Sequence, residues 1–354
     1  MISDVQRRVD AFRRRFGVRV PVLLAPMAGV PAPALSQAVA AAGGLGACGA
    51  LLLMPDAIRD WATQQRQATN GPFQINLWIP DPAPVRDPAH EQVLRDFLGQ
   101  WGPTVPPGDT APPDFGAQCQ ALLDAGAPIV SSVMGLFPPE FVAQLKASGI
   151  AWWANISTVA EARAAVAAGA DAVVAQGAEA GGHRGCFDAS RAVSGAVGLL
   201  ALLPAVVDAV DVPVIATGGI GDARGVAAAL LLGASAVQVG TAFLLCPEAG
   251  PVPWASALDG LAPEDAVLTR AFSGRAGRSV RNAYVQAAAA GPVPAPYPVQ
   301  RALTGPMRAA AVTAGDTGRM QAWAGQAAGL ARAEPAAAVL DRLWSPAAAA
   351  LGLV

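Results

Sequence analysis

The chain has 354 residues, 53% of them hydrophobic and 14% charged, which gives enough apolar surface for a sizeable core. Its 24 basic and 26 acidic residues leave a formal charge of −2, so there is no basic footprint for nucleic acid. Lys146 is the sole lysine. It sits in a helical pattern, Pro139-Glu-Phe-Val-Ala-Gln-Leu-Lys-Ala, which argues against a Walker phosphate loop and against Schiff-base chemistry.

The first fifteen residues are charged throughout and lack the apolar centre of a signal peptide, so a cytoplasmic protein is expected. Apolar runs at 20–26, 45–49, 73–79, 129–135, 151–156, 172–176, 213–218 and 236–241 read as strands. Between them, helical patterns occupy 33–43, 55–69, 114–125, 138–148, 158–168, 198–209 and 222–232. Such alternation predicts βα units and a parallel sheet, and eight strands favour an α/β fold of the (β/α)8 TIM barrel class over a doubly wound sheet. No G-x-G-x-x-G follows the first strand; Gly43-Gly-Leu-Gly46 leads into a strand, the wrong direction for a dinucleotide turn. Ser157-Thr158 before Glu161, and Asp222 after Gly221, mark helix starts. Gly43, Gly149, Gly169 and Gly233 stand where helices should stop.

Two segments fall outside the repeat. Residues 80–113 are rich in proline, including Pro106, Pro107 and Pro112, and predict a long loop after the third strand. From 244 onward the pattern is helical, with a last helix near 331–343. The expected division is a barrel core over 1–243 and a C-terminal helical segment over 244–354 that completes and caps it as one unit. The uncharged stretch 225–246 is long enough to span a bilayer, but Gly233, Ser235, Gln238, Gly240 and Thr241 divide it into a helix and a buried strand. Cys48, Cys119, Cys186 and Cys246 are widely spaced, with no C-x-x-C. That spacing suits a reduced protein and offers no zinc site.

Active sites of such barrels lie at the C-terminal ends of the strands, with phosphate commonly held after strands seven and eight. Here the seventh strand ends Ala216-Thr-Gly-Gly-Ile-Gly221 before a helix, and the eighth ends Gln238-Val-Gly-Thr241. Bare glycine amides and a helix N-terminus suit an anion. Tight βα turns are the other reading. His183 follows the sixth strand in a glycine-flanked, flexible-looking loop; His90 lies in the Pro-rich insertion and reads as solvated. An imidazole at a barrel mouth suits proton transfer near neutral pH, yet by position alone a surface histidine is an equal reading. Two distant histidines make a poor metal set, so no metal is expected. Cys186 shares the His183 loop, but no second histidine is near it in sequence to activate it, so it reads as a bystander thiol.

These residues also carry a resemblance. Val22-Leu-Leu-Ala-Pro-Met-Ala-Gly29, Ala41-Ala-Gly-Gly-Leu-Gly46, Phe73-Gln-Ile-Asn-Leu77, Thr269-Arg-Ala-Phe-Ser-Gly-Arg275 and Pro296-Tyr-Pro-Val-Gln-Arg-Ala-Leu-Thr304 follow in family order. The loop Ala175-Gln-Gly-Ala-Glu-Ala-Gly-Gly-His-Arg-Gly185 is the most specific of them. Over nearly its whole length the chain resembles the nitronate monooxygenases, formerly 2-nitropropane dioxygenases, of the bacterial class I type. The resemblance implies non-covalent FMN and oxidation of alkyl nitronates, or of nitroalkanes, by O2 to a carbonyl compound and nitrite. By motif, Pro26, Met27 and Ala28 would border the isoalloxazine, and Asn76 and Gln176 its polar edge. Gly181, Gly182, Gly218, Gly219, Gln238, Gly240 and Thr241 would hold the ribityl phosphate region. His183 matches the catalytic histidine, and Met134 and Tyr297 would line the substrate pocket. The expected partners are a small nitro compound and O2, with a homodimer admitted, and neither nucleic acid nor membrane. Residues 131–139 and 154–158 depart from the family pattern beside the cavity. The same superfamily contains FMN-dependent NAD(P)H reductases of the enoyl-ACP and quinone reductase types, which form the competing reading; Gln176, where those reductases more often carry Glu, tilts the choice away from them.

Overall fold

A computed structural model of the chain describes residues 2–29, 33–104 and 113–353. The strands are β1 (Val22–Leu24), β2 (Gly46–Gly49), β3 (Phe73–Trp78), β4 (Ile129–Val133), β5 (Ala151–Ile156), β6 (Ala172–Gln176), the two-residue β7 (Gly182–His183), β8 (Val214–Thr217), β9 (Ala236–Val239), β10 (Ala266–Thr269) and β11 (Gly277–Val280). Eight of them pair in parallel in the order β1-β9-β8-β6-β5-β4-β3-β2. The Leu24 amide donates to the Leu45 carbonyl at 2.9 Å, which closes the sheet into the expected (β/α)8 barrel.

The strands read as continuous apolar runs because both of their faces are covered. Leu23, Trp153, Val174 and Ile215 point into the barrel, while Val22, Trp152, Val173 and Val214 pack outward against the helices. The helix punctuation also works locally. Thr158 Oγ1 accepts from the Glu161 amide at 3.1 Å. Gly43, Gly149, Gly169 and Gly233 all take the positive φ that ends a helix.

One element was unassigned in the sequence and two readings need correction. The charged N-terminus forms a helix, Ile2–Phe16, whose buried face is Val5, Val9, Phe12 and Phe16. Phe12 and Phe16 meet Trp153 at ring separations of 5.9 and 4.9 Å, closing the barrel floor. The Pro-rich stretch is not all loop: Pro88–Leu98 is helical, with Pro88 in its first turn and Asp87 accepting from the His90 amide at 3.1 Å. His90 therefore sits on a helix, its Nε2 at 2.7 Å from the Val293 carbonyl. Pro106, Pro107 and Pro112 lie outside the described residues. The segment after 244 is not only helical, since β10 and β11 pair antiparallel and β11 continues onto β7.

The last helix runs Ala336–Ala350 and packs between the helices Ala34–Ala41 and Ala223–Leu231, the place of the eighth barrel helix. The uncharged stretch 225–246 divides into the end of Ala223–Leu231, strand β9 and a short 3-10 turn. Among the described residues, no helix is long and apolar enough to cross a membrane.

Candidate active site

A cavity of about 410 Å³ opens at the C-terminal ends of the strands, within the usual range for small-molecule sites of roughly 300–1,000 Å³. Its floor is a band of amides. Gln74 Nε2 donates to Gln238 Oε1 at 2.9 Å, Ser131 Oγ donates to Gln74 Oε1 at 2.9 Å, and Asn76 Nδ2 donates to the Ser131 carbonyl at 3.2 Å. These groups project inward from β3, β4 and β9 by the same two-residue period that places the apolar plug below them.

The structure brings the candidate cofactor residues to the walls of this one cavity: Pro26, Met27, Ala28, Asn76, Gln176, Gly181, Gly182, Gly218, Gly219, Gln238, Gly240 and Thr241. His183 and Met134 line it as well. Met134 holds φ +72, a costly conformation for a residue with a side chain and one that recurs at ligand sites. Tyr297 stands one layer back, stacked on Trp78 at 5.0 Å.

The loop after β6 is not flexible. Gln176 Nε2 donates to the His183 carbonyl at 3.1 Å, and Gln176 Oε1 accepts from the Gly185 amide at 2.8 Å. Arg184, 2% exposed, donates to the carbonyls of Gln176 and Gly177 at 2.9 and 2.8 Å. Arg278 donates to the Ala178 carbonyl at 2.7 Å. Guanidiniums are suited to this role because they offer several donors in a rigid fork. His183 thus sits on a short strand, pinned to Gly277 of β11.

The His183 ring lies between Trp78 and Trp323, each at 4.8 Å. Its Nε2 is 2.7 Å from Ser273 Oγ, and Ser273 Oγ donates to the Arg275 carbonyl at 3.1 Å. A hydroxyl has one proton, and the Arg275 carbonyl and His183 Nε2 both lie within its reach. With that proton on the Arg275 carbonyl, Ser273 accepts from Nε2–H and Nδ1 keeps the free lone pair. Burial, then Arg275, Arg301 and Arg308, push the His183 pKa down to about 3, so its imidazole is neutral at pH 7.

Arg301 and Arg308 line the cavity with Gln321 and Trp323. Arg308 is fixed by Gln321 Oε1 at 2.7 Å and the Arg301 carbonyl at 2.9 Å. Arg301's guanidinium has no carboxylate partner among the described residues. Burial lowers Arg308 to about 10, so it remains charged at neutral pH. These four side chains went unremarked in the sequence. Arg301 lies inside the 296–304 signature, but Arg308, Gln321 and Trp323 carry no local pattern. Cys186 does not line the cavity; its Sγ donates to the Asp188 carbonyl at 3.2 Å, and burial pushes its thiol up. All four cysteines are free and buried. Among the described residues no cluster of His, Cys, Asp and Glu could hold a metal.

At the ends of β8 and β9, the amides of Gly218, Gly219, Ile220, Gly221 and Gly240 have no partner among the described residues. Gly218 and Gly219 take φ +112 and +69, a turn open to few residues but glycine, and the run of bare amides suits an anion nest. The nest does not use the helix end itself. Asp222 caps that helix, accepting from the Arg224 and Gly225 amides at 3.0 and 3.3 Å. Thr241 Oγ1 accepts from the Gly325 amide at 3.1 Å, which leaves its own proton free. A closed barrel with bare amides beside an amide-rimmed slot at its C-terminal face has the plan of an enzyme active site.

Comparison with known proteins gives the family. The nitronate monooxygenase family model matches residues 11–345. A nitronate monooxygenase of Paraburkholderia phytofirmans is 40% identical over 341 residues, covering 92% of each chain. Among solved structures, a nitroalkane oxidase from Streptomyces ansochromogenes superposes with a TM-score of 0.87 at 38% identity, covering 97% of this chain and 99% of that one. FabK from Thermotoga maritima gives 0.72 at 26% identity, covering 97% of each. The chain belongs to the nitronate monooxygenase family of oxidoreductases.

Proposed function

We propose that the chain is an FMN-dependent nitronate monooxygenase, oxidising alkyl nitronates with O2 to a carbonyl compound and nitrite. The residues fit the cofactor: the nest at 218–221 and Gly240 suits a terminal phosphate, and the amide rim suits the polar edge of a planar ring. When bound, FMN supplies a carrier that takes an electron from the nitronate and passes it to O2.

The observation that carries the substrate reading is a neutral His183 surrounded by guanidiniums. Arg301 and Arg308 favour an anion in a cavity with Trp78, Trp323 and Met134 in its wall, where charge interactions are screened less than in water. A histidine pushed down to about 3 is a weak base toward a carbon acid, so a substrate that arrives already deprotonated suits it better. Arg301 and Arg308 then orient the nitronate, and the anion in turn offsets the arginine field. With a neutral nitroalkane, Nδ1 would have to take the α-proton.

Nitrite release tests this across nitronates and their parent nitroalkanes of increasing size. At pH 7 the nitronates should turn over at least about tenfold faster than the neutral forms, a difference of roughly 1.4 kcal/mol in barrier. Equal rates would contradict the role given to the arginines.

A further inference from the structure

Strand β4 ends in an irregularity. Its side chains alternate as in any strand: Ser131 and Val133 line the cavity, while Ser132 points outward, where its Oγ accepts from the Trp152 indole at 3.1 Å. Met134 should follow Ser132 outward. It lines the cavity instead, at φ +72, and among the described residues it alone takes a positive φ without being glycine. A residue with a Cβ holds that conformation only where its surroundings impose it, and such outliers cluster at ligand sites. Glycine would relieve the strain, and the chain has one a single position later, at Gly135.

The side chain does not serve the core. Met134 is 5% exposed, yet it joins none of the apolar clusters that hold the barrel and its cap together. The wall it occupies is that of the imidazole. Its neighbour Val133 is the register partner of Trp78, whose ring lies 4.8 Å from that of His183. Val133 also stands against the His183 loop, so that a Cβ on Gly185 would lie 3.0 Å from its Cγ2. A thioether beside this wall is apolar, unbranched and adaptable, which suits it to meet a hydrocarbon chain.

We propose that Met134 is the specificity-determining residue of this site, an apolar stop that meets the alkyl group of the nitronate and limits its length. The inference rests on the nitronate reading above. The strained backbone places the stop, because an extended residue at 134 would aim its side chain away from the cavity.

Nitrite release from ethyl, butyl and hexyl nitronates tests this on the wild type, Met134→Gly and Met134→Ala, with urea unfolding of the same three proteins. Both variants should raise kcat/KM for the hexyl relative to the ethyl nitronate on the order of tenfold. Met134→Gly should also unfold at a higher urea concentration than Met134→Ala, because only glycine relieves the positive φ. An unchanged hexyl-to-ethyl ratio would overturn the assignment while leaving the nitronate reading intact. So would failure of both variants to fold, which would make Met134 a packing residue, or a Met134→Gly midpoint at or below that of Met134→Ala, which would remove the strain that places the stop. A wild type that releases nitrite from none of the three would overturn the nitronate reading, and the assignment with it.

Discussion

His183 is a histidine without a charge in the middle of three that have one. Arg275, Arg301 and Arg308 all disfavour its protonated form, and burial adds to them. The consequence for stability has a definite sign. The unfolded chain protonates this imidazole as pH falls through 6.5, but the folded chain resists until about 3. Protons therefore favour the unfolded state across that window, and stability falls as pH drops through it. His183→Gln should flatten the pH dependence of the urea midpoint between pH 6.5 and 4. An unchanged slope would mean that the imidazole is solvated. Arg301 gives a second residue-scale test. Arg301→Met should lower kcat/KM for an anionic nitronate on the order of tenfold or more, with partial recovery in Arg301→Lys. His183 and the glycines around it were legible because they share one short motif. Ser273, Arg308 and Trp323, which bond or flank its ring and set its field, lie about 90 or more residues away and were visible only once the chain was folded.

The elements that escaped the sequence are those whose partners are remote. The helix Ile2–Phe16 reads as a charged N-terminus, yet Val5, Val9, Phe12 and Phe16 repeat at helical spacing and its apolar face belongs to the barrel floor. Phe12→Ala should lower unfolding free energy by about 3–5 kcal/mol, the usual cost of emptying a buried aromatic site. Chemical denaturation measures it, and a loss below about 1 kcal/mol would show that the floor closes without this ring. The helix Pro88–Leu98 was hidden for another reason. Proline density suggested a loop, but Pro88 occupies the first turn, where a missing N–H costs nothing. In contrast, β3, β5 and β6 follow their apolar runs to within one residue, because strands covered on both faces leave an unbroken hydrophobic signature.

At the scale of the whole molecule, the eight-strand count and the glycine-rich ends of β8 and β9 pointed to one face of a closed barrel, the face at which the cavity opens. What the folded chain adds is the grouping of charge and hydrogen-bond donors. Bare amides at the ends of β8 and β9, the guanidiniums that act on a neutral imidazole, and an amide rim all meet at one cavity. The three-stranded sheet of β7, β10 and β11 holds the imidazole rigid, and no local sequence pattern announced its pairing. On the function proposed here, this arrangement serves oxidation of a small anion and is not fed by nicotinamide. Anaerobic mixing of the FMN-loaded protein with an alkyl nitronate, and separately with NADH and NADPH, distinguishes the two most directly. The account predicts that the nitronate bleaches the flavin within the turnover time, that the nicotinamides do not, and that nitrite appears once O2 is admitted. Rapid bleaching by NADH or NADPH, with no nitrite from the nitronate, would contradict it.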